Sequence, residues 1–139
     1  MPPPDPLDGW RPPHAYVPGR TARHPEGMFD HLKRTDGPPG STLAWRAGLA
    51  LMAEGYFWEA HEVWEALWLA QPPAGAEAVA VRAAIQAANA GLKARMGQGK
   101  AARRLAAIAA DLRAEAARRG ATLQVPGEIS PEVMHHNAK

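Results

Sequence analysis

The prolines of this chain are concentrated near its beginning. Ten of the 14 prolines precede residue 41. Proline has no amide hydrogen to donate and restricts the residue before it, so residues 1–40 cannot form a continuous helix or a central strand. We therefore expect three segments: a proline-rich extended arm that is partly docked (1–40), a single helical domain (41–125) and a flexible tail (126–139).

The middle segment contains four stretches with helical periodicity and no sustained alternation typical of strands. Ser41 is the predicted N-cap of the first helix, and Gly55, Pro72, Gly97 and Gly120 follow the four helices as stop signals. The predicted helices span 42–54, 57–70, 75–96 and 100–119. The fold class is therefore all-α, a compact multi-helix bundle flanked by irregular arms.

The third predicted helix has an unusual composition on the face opposite its apolar arc, which we call its back. Opposite its apolar arc lie Val79 and the alanines at 83, 87, 90 and 94, where an exposed helix would normally carry charges. This composition predicts packing on two sides, so the third helix should be central. The first two helices have the residue spacing of a tetratricopeptide hairpin, but no second repeat follows.

The second predicted helix carries the most informative residues of the chain. Residues 57–68 include three tryptophans, three glutamates and a histidine. On a helical wheel, His61 and Glu65 lie at the edge of the apolar arc and Glu59 lies almost opposite it. Carboxylates and an imidazole beside large aromatic side chains are costly to bury without partners, so they mark a candidate site.

A polar stripe on the third helix is expected to face this edge of the second helix. Together the two helices would form a semi-buried polar cluster, with Trp58 and Arg46 as further ligand-binding candidates. The cluster consists of His61, Glu62, Glu65, Arg82, Gln86, Asn89 and Lys93.

Three functions are compatible with this cluster. The favoured interpretation is a structural network that fixes helix register and borders a small-ligand pocket. A catalytic version would use Glu65 or Glu62 as general base, with His61 positioning it. A metal-assisted hydrolase would use His61 and Glu65 as ligands, but a third ligand is not evident because the other histidines lie in the flexible arms. No cofactor is expected.

Composition limits the cellular location and the kinds of partner expected for the protein. The chain has no cysteine, which fits a reducing, cytoplasmic location. No stretch approaches the roughly 20 apolar residues of a membrane span, and a formal net charge of +2 gives no argument for nucleic acid. The small helical unit would gain from self-association, and a non-enzymatic protein-interaction module is the alternative to a ligand pocket.

Residues 56–68, with the sequence YFWEAHEVWEALW, resemble the signature of a family of small all-helical bacterial and archaeal proteins. The pattern is aromatic-x-E-A-H-E-x-x-E-x-x-W. Residues 85–93, with the sequence IQAANAGLK, resemble its second block, and the resemblance covers about 42–112. The family has no assigned function, so the resemblance implies the helical fold and adds nothing on activity.

Overall fold

A computed structural model describes residues 4–127 of the chain. Within this range the structure contains four α-helices, two 3-10 turns (Asp30–Leu32 and Pro39–Ser41) and no strand. The helices are α1 (Leu43–Ala53), α2 (Phe57–Leu69), α3 (Ala76–Arg95) and α4 (Gly99–Arg118). The all-α prediction is confirmed, and each helix boundary lies within one residue of the predicted position.

The first helix and its N-cap each lie one residue later than predicted. Thr42, and not Ser41, is the N-cap, because its hydroxyl oxygen accepts a hydrogen bond from the amide of Trp45 at 3.1 Å. At the other end Gly55 adopts a φ of +85°, a left-handed conformation that favours glycine. This turn lets the chain reverse into α2.

Helix α3 is the central element of the bundle. It packs against α2 on one side and α4 on the other. Ala83, Ala87 and Ala90 on its back are buried, and Ala87 and Ala90 line a groove shared with α4. The alanine-rich back therefore allows close helix packing, as its composition predicted.

The hydrophobic core is organised around Trp64, which is 0% exposed. Its ring centroid lies 5.4 Å from that of Trp45, and its indole N–H donates to the carbonyl oxygen of Trp45 at 3.3 Å. Gly48 on α1 lies so close to this indole that a Cβ would collide with the ring. The α1–α2 pair thus packs tightly, while its likeness to a tetratricopeptide hairpin stays a prediction.

The arm and the beginning of the tail contribute to this core. Leu7, Phe29 and Leu32 of the arm are buried in the core cluster, and Leu123 after α4 is buried beside them. Residues 128–139 lie outside the described range, so the flexible-tail prediction for 126–139 is not tested there. Among the helices of residues 4–127, none has the length and apolar character needed to cross a membrane.

Candidate functional site

The polar residues of α2 and α3 do not meet as expected. His61 Nε2 lies 3.2 Å from Glu65 Oε2 on its own helix, and Glu62 pairs with Lys33 of the arm at 2.9 Å. On α3, the amide of Asn89 donates to Gln86 at 3.4 Å. Within residues 4–127 no hydrogen bond or ion pair joins the two sets, so each set pairs elsewhere and a site shared by them stays a prediction.

Close packing between α2 and α3 explains this separation. A Cβ at Gly91 would lie 2.7 Å from the ring of Phe57, so an aromatic ring and a glycine bring the two helices together. Arg82 stays exposed at the edge of α3, and Lys93 is only half-buried. The roles of these side chains as ligand-binding candidates remain predictions.

Two other candidates also differ from the expected cluster. Arg46 is exposed and its Nε donates to the carbonyl oxygen of Ser41 at 3.3 Å, so it does not reach α3. Glu65 has 52% of its side chain exposed, whereas His61 has 21%, as expected for a residue at the edge of the core. The His61–Glu65 pair is therefore largely a surface contact.

The structure instead buries a different carboxylate of α2. Glu59 is 0% exposed, and its Oε2 accepts a hydrogen bond from the amide of Tyr16 at 2.6 Å. The same oxygen lies 2.6 Å from Nε2 of His24, whose side chain is only 1% exposed. When Glu59 is ionised, the proton of His24 must sit on Nε2, because the carboxylate can only accept.

Sequence reasoning missed this pair because it treated α2 as packing on one side only. Glu59 lies opposite the apolar arc, and the arm covers that face. His24, assigned from sequence to a flexible arm, is in fact packed. The signal was present in the aromatic anchors of the arm: Tyr16 and Phe29 each contact Trp58, the residue beside Glu59.

A buried cation lies behind Glu59. Arg95 at the end of α3 is 2% exposed and donates from Nη1 to the carbonyl oxygen of Gly55 at 2.8 Å. Its guanidinium lies 4.8 Å above the ring centroid of Phe57. Burial lowers the pKa of Arg95, and the charge of Glu59 opposes that effect. Buried charges of opposite sign compensate part of their desolvation cost.

Two buried acceptor atoms of this group have no hydrogen-bond partner among residues 4–127. They are Oε1 of Glu59 and Nδ1 of His24. Leaving one buried polar atom unsatisfied costs about 1–3 kcal/mol. A network selected only for stability would normally satisfy both atoms. The pair therefore holds hydrogen-bonding capacity that the fold itself does not use.

A cleft of about 440 Å³ lies at this junction of the arm and α2. Aromatic rings form part of its wall, where Tyr16 meets Trp58 edge to face at 5.3 Å and His24 meets Phe29 edge to face at 5.1 Å. Polar and charged groups form about half of the lining. The volume falls in the range of small-molecule sites. We call this cavity the arm cleft, and its lining includes Tyr16, His24, Phe29, Lys33, Trp58 and Glu62.

Charged side chains lie around the arm cleft. Lys33 binds Glu62 at 2.9 Å and Asp30 at 3.4 Å. Burial lowers the pKa of Lys33, but these two carboxylates outweigh burial and leave the pKa raised. Arg23 lies 5.9 Å from the ring centroid of Tyr16 and makes no ion pair in the part of the chain that the structure describes. Glu26 is the remaining charged residue that lines the arm cleft.

The arrangement does not form a three-ligand metal centre. Across residues 4–127 no three or more histidine, aspartate or glutamate side chains are close enough to hold an ion together. His14 stacks on His24 with centroids 4.7 Å apart and planes 28° apart. Because imidazole lone pairs lie in the ring plane, stacked rings direct them side by side and not toward one ion. The proposed metal role of His61 and Glu65 gains no third ligand here.

Comparison with known proteins matches part of the chain to a family model and gives no activity. Residues 45–105 match the model of a domain of unknown function (DUF309). The match confirms the resemblance to an uncharacterised family and includes most of α1 and all of α2 and α3. It contains Trp58 of the arm cleft and the buried Glu59, but not Tyr16 or His24, which belong to the arm. No curated protein and no solved structure matches the chain.

Proposed function

We propose that the arm cleft binds a small planar ligand and that the Glu59–His24 pair supplies its hydrogen-bonding element. One observation carries this proposal: two buried acceptors, Glu59 Oε1 and His24 Nδ1, have no partner, and His24 forms part of the cleft wall. Aromatic walls supply apolar contact for a planar molecule, and the pair supplies polar specificity.

The chemistry of the pair favours the acceptor role. Glu59 fixes the proton of His24 on Nε2, which leaves Nδ1 as a bare lone pair able to accept a hydrogen bond from an O–H or N–H group. The residues that line the cleft include no serine, threonine or cysteine, so nucleophilic catalysis has no support. Binding is therefore the function that the geometry favours.

Ligand entry would require a movement of the arm. Nδ1 of His24 is shielded from solvent, so a ligand reaches it only when part of the cleft wall shifts. Residues 25–27 are all exposed, and the hydrogen bonds recorded in this turn are local, from Met28 N to Pro25 O and from Asp30 N to Gly27 O. Segments with few buried contacts open at the lowest cost, so we expect this turn to move.

Phenol is a suitable first probe, because it is a planar ring with one hydroxyl donor. We expect a phenol titration followed by ¹H–¹⁵N correlation spectra to shift the amide of Tyr16 and the indole N–H of Trp58. His24→Gln should weaken these shifts strongly. His61→Gln is the matched control, because His61 also has a buried, unpartnered Nδ1 but lies outside the cleft lining.

Two results would overturn the ligand-binding proposal. One is a set of phenol shifts confined to the groove between α3 and α4. The other is equal binding by the two histidine variants, provided that both retain the circular dichroism spectrum and unfolding midpoint of a folded protein.

A second candidate function is a protein-interaction module, set in the cytoplasm in keeping with the cysteine-free composition. The end of α2 exposes two large apolar side chains, Trp68 and Leu69, and Leu69 is 75% exposed. Trp68 lies in the last turn of α2, where burial ends. Exposed apolar side chains of this size favour a protein contact. Sedimentation of Leu69→Glu against the parent tests self-association: a concentration-dependent mass that the variant loses supports it.

A further inference from the structure

We infer that the ligand of the arm cleft is an anionic aromatic molecule, of the class of hydroxylated aromatic carboxylates. This inference rests on the ligand-binding function proposed above and adds its chemical class. Three features of the cleft define that class: a positioned cation, an aromatic corner and a buried acceptor.

The cation is Arg23. Its guanidinium lies over the ring of Tyr16, 5.9 Å from the centroid, and Tyr16 is itself a wall of the cleft. A guanidinium held against an aromatic face keeps its N–H fork available in the plane of the group, where it can bind a carboxylate through two parallel hydrogen bonds. Arg23 makes no ion pair among residues 4–127, so its donors are not committed to a protein carboxylate.

The other charged groups of the cleft do not match this role. Lys33 is engaged by both Glu62 and Asp30, so that cluster is already compensated. Glu26 could attract a cationic ligand and is exposed, as Arg23 is. Among residues 4–127 no ion pair or hydrogen bond fixes its carboxylate, whereas the guanidinium of Arg23 lies over the ring of Tyr16. Arg23 is therefore the positioned charge, and it selects an anion.

The other residues of the cleft indicate that the ligand carries an aromatic ring and a hydroxyl group. Tyr16 and Trp58 meet at an interplanar angle of 81°, which leaves a corner between two aromatic faces that suits a third flat ring. Nδ1 of His24 requires a donor, which a phenolic O–H supplies. One molecule with a carboxylate on one side of a ring and a hydroxyl on the other satisfies all three features.

Four probes separate these features in one titration series at pH 7, read by isothermal calorimetry and by the Trp58 indole signal. The probes are 4-hydroxybenzoate, benzoate, phenol and tyramine. We expect 4-hydroxybenzoate to bind tightest, and benzoate and phenol each to bind about tenfold more weakly, because each lacks one hydrogen-bonding group. Tyramine, which carries a cation, should bind weakest.

Arg23→Gln gives the test of the residue. We expect it to remove the preference for 4-hydroxybenzoate over phenol while phenol still binds. Arg34→Gln is the control, because Arg34 is an exposed arginine of the same arm that pairs with Asp36 and does not line the cleft. It should leave the preference unchanged.

The outcomes test the chemical class of the ligand separately from the proposed ligand-binding function. If phenol binds in the cleft but 4-hydroxybenzoate binds no more tightly, or if tyramine binds best, the anionic class is overturned and the ligand site stands. Equal preferences in Arg23→Gln and Arg34→Gln also overturn it. If no probe perturbs Tyr16 or Trp58, the proposed function fails together with the inference.

Discussion

The two sides of α2 differ in how completely their polar groups are satisfied. On the bundle side, Trp64 is fully buried and its only polar atom donates to Trp45 O. On the arm side, Glu59 is equally buried, yet one of its oxygens and one nitrogen of His24 have no partner. The same helix therefore presents a satisfied indole to α1 and an incompletely satisfied carboxylate to the arm.

The buried groups on the two sides of α2 therefore differ in how they contribute to stability. Apolar burial of an aromatic side chain stabilises the fold without any requirement for a partner beyond close packing. A buried carboxylate stabilises nothing unless its partners compensate desolvation, and Arg95 and His24 do so only in part. Proteins retain such incompletely satisfied groups chiefly where function requires them.

The largest expected effect separates the two sides through their tryptophans. Trp64→Ala should lower the free energy of unfolding by about 3–5 kcal/mol, because it leaves a large cavity in the core. Trp58→Ala should cost roughly 1–2 kcal/mol, because Trp58 is only partly buried beneath the arm. Urea unfolding midpoints of the two variants provide the measurement. Equal midpoints would mean that the arm side contributes as much stability as the core.

The second prediction compares two carboxylates of α2. Glu59→Gln should destabilise the protein by about 1–3 kcal/mol, because Tyr16 N and His24 lose a charged acceptor. Glu65→Gln is the matched control and should cost about 0.5 kcal/mol or less, because half of its side chain is solvated. Urea midpoints at pH 7 test both. A midpoint for Glu59→Gln above that of the parent would indicate that the carboxylate is kept against stability.

The third prediction concerns the ion pair that ties the arm to α2. Lys33→Met should lower the free energy of unfolding by about 0.2–1 kcal/mol, because a partly exposed ion pair with Glu62 is lost. Lys93→Met is the control, since Lys93 makes no ion pair within residues 4–127. The difference between the variants should shrink in 1 M salt, which screens partly exposed charges. No change with salt would assign the effect to packing of the lysine stem.

The smallest effect is expected at the start of the arm. The amide of Leu7, the guanidinium of Arg11 and the amide of Gly9 donate to Asp5, and these bonds lower its pKa below the ordinary 3.8. A lowered pKa stabilises the folded state above the unfolded pKa, and this contribution is lost as the pH falls through the folded pKa. The parent should therefore lose its advantage over Asp5→Asn below about pH 4. Unfolding midpoints measured from pH 6 to pH 3 test this, and a constant difference would contradict it.

The sequence by itself determined the four helices and their order. Glycine and proline stop signals and the 3.6-residue periodicity are local properties, so each boundary followed from its neighbours in the chain. The alanine back of α3 also predicted a central helix, because a helix that is apolar on both sides must be buried on both.

Only the tertiary structure decided which polar residues form a site. The helical wheel placed Glu59 away from the core, and nothing local indicates that Tyr16 and His24, separated from it by 43 and 35 residues, cover that face. Among residues 4–127 no hydrogen bond or ion pair joins the predicted polar sets of α2 and α3, and Phe57 packs against Gly91 where these helices meet. Long-range contacts of an irregular arm depend on the shape of the whole core, so helical periodicity cannot predict them.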